Sequence, residues 1–343
     1  MVHLRIVAPG DCAEHALDLL TEAPAVINVI HLPGAARKPE GDVILCDVAR
    51  EDASVILSDL RELHVPEIAM ELIDSQISTA AVAAEKAAAG LPSDAVLWEE
   101  VESRTSENTE LSISFLAFMV LAMLIASVGV LLDSPILIIG AMVVGPEFGP
   151  IAGLCVALVE LRRDLARRSA IALAVGFPFG IALAFGMVIV LRATGAAPAD
   201  FSAAEHPFTA FISQPDVFSF LVAYFAGTAG VLSLTTAKSG ALIGVLISVT
   251  TIPSAAAIAV GAAYRNWDEA TGALLQLGIN LGAIMLAGVA TLYLQRRLYV
   301  ARRRKHRSDP ARSAAGLPVN PRRRGGHPDA EIDGPPPGGH VAP

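Results

Sequence analysis

The stretch Leu111-Ser112-Ile113-Ser114-Phe115-Leu116-Ala117-Phe118-Met119-Val120-Leu121-Ala122-Met123-Leu124-Ile125-Ala126-Ser127-Val128-Gly129-Val130-Leu131-Leu132 carries no charged side chain. A helix rises 1.5 Å per residue, so about 20 apolar residues cross a hydrocarbon core about 30 Å thick. This stretch therefore reads as a membrane span. Working outward, five more stretches have that length and character: 135–159, 169–191, 217–237, 239–264 and 270–294. Only the first of these contains a charge, Glu147. Buried helices of a soluble protein can be apolar all round, but six such runs in one chain point to a polytopic membrane protein.

Composition agrees. Of 343 residues, 53% are apolar and 17% charged, against about 25% charged in an ordinary soluble domain. Mean hydropathy is +0.55. Such a chain is too apolar to be disordered. Three cysteines, Cys12, Cys46 and Cys155, cannot make a disulfide scaffold. No cleavable signal is visible at Met1-Val2-His3-Leu4-Arg5, so the first internal span is expected to direct insertion.

The net charge of −9 is unevenly placed. Residues 1–75 carry 5 positive and 14 negative side chains, whereas residues 296–343 carry 11 and 4. Basic residues also mark the connections. Arg162, Arg163, Arg167 and Arg168 follow the second span, Lys238 follows the fourth, and Arg296, Arg297, Arg302, Arg303, Arg304, Lys305 and Arg307 follow the sixth. With six spans all three places fall on one side, which the positive-inside rule makes cytoplasmic. Both termini are then expected in the cytoplasm, with the 193–216 loop outside.

Ahead of the spans, residues 1–74 read as a small α/β unit. Leu4-Arg5-Ile6-Val7 forms a strand, 13–21 a helix capped by Asp11, and 25–32 a β-branched strand that ends at a Pro33-Gly34 turn. A third strand at 42–48, a helix at 50–63 and an edge strand at 67–73 complete a βαββαβ order, the ferredoxin-like plan. Residues 75–110 read as a linker. It contains an Ala-rich helix at 79–89, a break at Leu91-Pro92, and a short surface helix from Trp98, whose indole suits the headgroup level. Residues 296–343 read as a basic, largely disordered tail, with Pro and Gly abundant from 308 on. Its basic cluster is expected to contact anionic lipid as well as to set topology.

Metal and nucleotide motifs are weak. Cys12-x-x-His15 has no second ligand pair nearby, and His31, Cys46 and His64 are scattered. Ala237-Lys238-Ser239 lacks the glycine of a phosphate loop. No cofactor, metal or nucleic acid is expected. No Ser/His pair, metal cluster or aspartate pair lies within the spans, so catalysis is not expected either.

The spans divide into two halves, 111–192 and 217–296, each with three spans and therefore inserted in opposite senses: a 3+3 inverted repeat. The middle span of each half carries Gly/Pro interruptions near mid-depth. The first reads Gly140-Ala141-Met142-Val143-Val144-Gly145-Pro146-Glu147-Phe148-Gly149-Pro150, the second Gly244-Val245-Leu246-Ile247-Ser248-Val249-Thr250-Thr251-Ile252-Pro253-Ser254. Broken spans at matching places in two halves are the sequence mark of a transporter's central site. A proline frees a carbonyl, and hydrocarbon offers that carbonyl nothing. The candidate pathway residues are Gly145, Pro146, Glu147, Gly149 and Pro150 from the first half. Ser248, Thr250, Thr251 and Pro253 come from the second, with Gln276 and Asn280 on the last span. Glu147 is the sharpest: a carboxyl at this depth either carries a proton, binds a cation, or stays protonated and hydrogen-bonds a neighbouring helix. Gln276 and Asn280, four residues apart, share a helix face. Small residues at four-residue spacing (Gly145/Gly149/Gly153, Gly176/Gly180, Gly240/Gly244, Gly278/Gly282) favour close helix packing, and a homo-oligomer is one way to use them.

The box Gly140-Ala141-Met142 followed by Pro146 and Pro150-Ile151, the upstream Asp133-Ser134-Pro135, and Trp98-Glu99-Glu100-Val101 before the first span together resemble the bacterial and archaeal membrane family called domain of unknown function 389. The resemblance runs over about residues 1–295. The family more often has Ser at the position of Gly145 and an apolar residue at that of Glu147. What the resemblance implies is architecture, because the family has no assigned activity. Two functions are compatible with these features. One is a transporter or channel for a small solute or ion with a cytoplasmic regulatory domain. The other is a non-transporting sensor or scaffold acting through residues 1–110.

Overall fold

A computed structural model describes residues 1–73, 78–88, 96–201, 206, 210–236, 243–306, 312 and 316–317. The chain forms two compact units, one of residues 1–99 with 296–343 and one of residues 100–295.

The first unit is built as β1 (Val2–Ala8), α1 (Gly10–Glu22), β2 (Val26–Arg37), β3 (Glu40–Val48), α2 (Arg50–Glu62) and β4 (Glu67–Leu72). Its sheet is antiparallel throughout, in the order β2-β3-β1-β4. The alternation of β1 decides the core. Val2, Leu4, Ile6 and Ala8 turn inward and are fully buried, joined by Ile44, Cys46 and Val48 from β3. Leu19 and Leu20 of α1 and Ile56 and Leu60 of α2 close the same core.

Two local expectations fail here. Helix α1 starts at Gly10 with Pro9 at its cap and no side-chain cap bond, so Asp11 lies inside the helix. Pro33-Gly34 is not the hairpin turn: β2 continues to Arg37, with its register against β3 shifted between Leu32 and Ala36. The irregularity is held by Asp42, whose carboxylate accepts from the Gly34 amide at 2.8 Å and pairs with His31 Nε2 at 2.8 Å. Gly34 adopts φ +61°, which a glycine tolerates without a Cβ clash.

Two short helices follow, α3 (Thr79–Ala87) and α4 (Trp98–Asn108). Ser78 caps α3, its hydroxyl accepting from the amides of Ala80 and Ala81. At the start of α4, the Trp98 amide donates to Ser54 Oγ at 3.2 Å and Ser54 Oγ donates to Glu99 at 2.8 Å. Arg61 pairs with Glu99 at 3.1 Å. The Trp98 ring meets Tyr299 edge-on, with centroids 6.2 Å apart.

The second unit is helical: α5 (Ile113–Leu131), α6 (Pro135–Val144), α7 (Phe148–Glu160), α8 (Arg163–Ala193), α9 (Val217–Thr235), α10 (Ile243–Ala263) and α11 (Trp267–His306), the last running on into the first unit. Four helices (α5, α8, α9 and α11) are long and apolar enough to cross a membrane, and α6 with α7 makes a fifth if the bent pair is one span. In α10 the described apolar stretch is Thr251–Ala263. Many side chains that face outward are large and apolar, among them Ile113, Ile136, Val190, Phe218 and Leu275, as lipid contact requires.

Between α5 and α6 the motif Asp133-Ser134-Pro135 has a plain physical meaning. Asp133 takes φ +47°, which Asp tolerates better than most residues. Ser134 sits at the cap, and Pro135, which has no amide hydrogen to satisfy, is the first helical residue. Gly129 lets Ile138 close against α5: a Cβ there would fall 2.8 Å from the Ile138 side chain. Elsewhere Gly176 receives the Phe115 ring and Gly180 the Met123 thioether, which is how α8 packs on α5. Gly278 and Gly282 face open space within the chain.

The two interrupted spans turn out differently. The first is broken, with α6 and α7 bent by 56°. The second is not: α10 runs unbroken through Pro253. The matched pair of breaks expected from the sequence is therefore corrected to a single break. A proline removes one helical hydrogen bond, and neighbouring helices can hold the rest of the ladder in place. Here α10 packs against α5, α6, α8 and α9, and Ile252, Ala255, Ala256 and Ala259 beside the proline are fully buried.

The tail also departs from expectation. Residues 296–306 continue α11 as helix. Arg312, expected in a disordered segment, is buried and pairs with Asp59 and with Glu62, the latter at 2.7 Å. Leu317 joins the core of the α/β unit. The rest of the tail beyond residue 306, Gly316 excepted, lies outside the described residues.

Candidate functional site

The break between α6 and α7 follows from local sterics. Pro146 disfavours helical geometry in the residue before it, and Gly145 accordingly lies at φ −62°, ψ 126°. Glu147 then returns to helical angles as the cap residue of α7, and its carbonyl accepts from the Ile151 amide at 3.1 Å. Pro150 falls in the first turn of α7, where its missing donor costs nothing because first-turn amides have no partner within the helix. The two prolines thus place a helix end, and Glu147, inside an apolar span.

Glu147 is wholly buried, at 0% exposure. Across from it, Thr251 on α10 donates its hydroxyl to Glu147 Oε1 at 2.8 Å. Thr251 is equally buried, and Ser254, one turn further on the same face, is buried too. The arrangement joins a carboxyl at the break between α6 and α7 to a hydroxyl beside the proline of α10. Chemically, a carboxyl so placed can hold or release a proton, or lend an oxygen to a cation.

Of the other expected residues, Gln276 Nε2 donates to Asn280 Oδ1 at 3.3 Å, and both are buried on α11. Gly145, Pro146 and Gly149 flank Glu147 and are partly exposed, whereas Pro150 is buried. The Ser248 and Thr250 side chains lie outside the described residues, as does the segment with Lys238. Sequence reasoning passed over Ser254, although its three-residue spacing from Thr251 was the available signal. It also passed over Ser169, a fully buried hydroxyl that a Cβ on Gly153 would meet at 2.8 Å. Among the described residues no group of three or more His, Cys, Asp or Glu could hold a metal.

Residues 142–286 match the family described as Domain of unknown function (DUF389). The match covers less than half of the chain. It begins inside α6 and ends inside α11, so Glu147, Thr251, Gln276 and Asn280 all lie within the matched segment. An uncharacterised protein of Methanocaldococcus jannaschii is 26% identical over 193 residues, 56% of this chain and 57% of that relative. The chain thus spans little more than half of the relative's length. No solved structure matches.

Proposed function

We propose that the protein moves a small solute or ion across the cytoplasmic membrane, with Glu147 in the pathway and the α/β unit regulating it. The observation that carries this reading is the Glu147–Thr251 hydrogen bond between the broken span and α10. Burying a carboxyl costs several kcal/mol unless it is neutral or compensated, and intramembrane carboxyls that persist usually serve ion or proton pathways. In this reading α10 is the fifth of six spans and the halves are inverted. The basic connections then place both termini in the cytoplasm. Since only one middle span is broken, the reading leans on the carboxyl–hydroxyl pair rather than on a symmetric pair of breaks.

Reconstitution in liposomes tests it. Flux of protons, monovalent cations or small anions should appear with the wild-type protein and fall at least tenfold in Glu147→Gln. Absence of flux for every solute, from protein shown to be folded, overturns it.

The second reading is a membrane-held sensor or scaffold. It is favoured by the α/β unit, which has a sheet and a fully buried core of its own. If residues 1–110 alone restore a deletion phenotype, this reading replaces the first.

A further inference from the structure

We infer that the break between α6 and α7 binds one desolvated alkali cation, held by the end of α6, the Glu147 carboxylate and the Thr251 hydroxyl, a step that rests on the pathway proposed above. A helix leaves its last four carbonyls without donors of its own. Other helices of the second unit recover one or more of them. The cap amides of Leu132, Leu161, Thr194 and Thr236 donate back to the carbonyls of Val128, Ala157, Val190 and Leu232. The end of α6 is different. The amide of its cap residue Gly145 makes no such bond, and Pro146, which would serve Met142, has no amide hydrogen. Among the described residues no donor meets the carbonyls of Ala141, Met142, Val143 or Val144. Ala141 and Met142 are buried, and bare carbonyls in an apolar span cost several kcal/mol each.

The charge at the break favours a single positive ion. The end of α6 and the start of α7 carry opposite dipole charges of about half a unit each, which offset one another. The Glu147 carboxylate is left over. None of the six apolar stretches contains Lys, Arg or His, so no fixed cation of the spans pairs with it, and a buried carboxylate needs a close compensating charge. A monovalent cation supplies it. A divalent ion would leave a positive charge in apolar surroundings, and an anion would add to the negative one.

The groups at the break offer oxygen. The Thr251 hydroxyl donates its one hydrogen to Glu147 Oε1 at 2.8 Å and keeps lone pairs for a ligand. On α11, Gln276 is 4% exposed, and its Oε1 is buried with no partner among the described residues. Leu277 beside it belongs to the apolar cluster that also holds Ala141 of α6 and Ile252 of α10. A second unserved oxygen thus sits on a helix packed into the same cluster. A proton would neutralise the carboxyl, but the acid so formed serves one acceptor. An alkali ion takes several oxygens at once, as carbonyl rings do when they replace its water shell, and the carbonyl ends of interrupted helices are suited to hold it.

Unfolding midpoints of the purified full chain in detergent test the assignment. They are compared in lithium, sodium, potassium and calcium chlorides against choline chloride of equal ionic strength. At least one alkali ion should raise the midpoint, saturating as a single site, because a ligand of the folded state stabilises it. Glu147→Gln should abolish the rise. Thr251→Val should raise the half-saturating concentration at least tenfold, and Thr251→Ser should recover most of that loss. The midpoint of each variant in choline chloride shows whether it is folded. No alkali effect on the wild type overturns the inference. So does an effect that survives unchanged in folded Glu147→Gln, or a calcium effect larger than that of all three alkali ions. Liposome flux is a separate readout. Proton flux without an alkali effect overturns this inference and leaves the transport reading standing, whereas an alkali effect without any flux does the reverse.

Discussion

Thr251 and Glu147 form a pair in which each side chain explains the other's burial. Thr251→Val keeps the shape and deletes the donor, leaving a buried carboxyl oxygen without it. The expected cost is about 1–3 kcal/mol of stability, measured by denaturant unfolding in detergent. Because the two residues touch, Thr251→Val combined with Glu147→Leu should cost less than the sum of the single changes. Additive losses would show that the hydrogen bond contributes nothing. A second residue, Asp42, governs the β2–β3 irregularity. The Gly34 amide and then His31 hold its carboxyl below the usual carboxylate range. A lowered native value means that the stabilisation is present above the ordinary pKa of about 3.9 and is lost as pH falls through the lowered one. Protection of the Gly34 amide from exchange, corrected for intrinsic rates, should hold from pH 7 to pH 5 and fall only below about pH 4. Asp42→Asn should flatten that profile. Glu147 was legible in the sequence because one charge stands out in an apolar span. The pairing of Arg312 was not: composition averages over tens of residues, and one paired arginine vanishes in a tail rich in Pro, Gly and Arg.

At the scale of elements, helix contacts in the second unit depend on where side chains are missing. Gly227 on α9 meets the backbone of α11: a Cβ there would stand 2.6 Å from the Ile284 carbonyl oxygen. Backbone cannot yield as a flexible side chain can. Gly227→Val should therefore push α9 from α11 and cost about 1–3 kcal/mol or more, seen as a lower unfolding midpoint. Gly278→Val, where nothing lies within 4 Å, should be near neutral in the isolated chain. A large loss there, in protein purified as a single copy, would contradict the packing described. The sequence made the α6–α7 break readable because Pro146 constrains the residue before it through bonded geometry alone. The continuity of α10 was not readable, because whether a helix survives an interior proline is decided by the helices packed around it. Likewise the hairpin turn was misplaced at Pro33-Gly34, since the bond from Asp42 that keeps the strand going comes from another strand.

For the whole molecule, the three cysteines give a direct test of burial and of sidedness. Cys46 lies in the sheet core, and burial pushes its thiol up to about 12. Cys155 is buried in α7, whereas Cys12 is partly exposed on α1. Since thiolate and access together set reactivity, a maleimide at pH 7.5 should modify Cys12 alone in the native protein and all three in denaturant. With a membrane-impermeant reagent, intact cells should show no labelling until the membrane is opened, if the amino terminus is cytoplasmic. Labelling of unopened cells would reverse the proposed orientation. The order of strands and helices in the first unit and the apolar runs of the second were legible from alternation and run length, both of which are local signals. The pairing of Glu147 with a residue 104 positions away was not, because sequence spacing says nothing about which helices become neighbours.

If α6 and α7 together make one span, the elbow at Pro146 gives that span an adjustable height. Its arms, α6 and α7, measure about 15 and 20 Å at 1.5 Å per residue. Bent by 56°, they stand about 31 Å tall when both lean equally and about 26 Å when α6 stays upright. A straight rod adapts to bilayer thickness only by leaning as a whole. If the pair is one span, an elbow would adapt by rocking, and rocking would swing the carboxyl at its corner. Acyl-chain length would then be a mechanical input to that carboxyl.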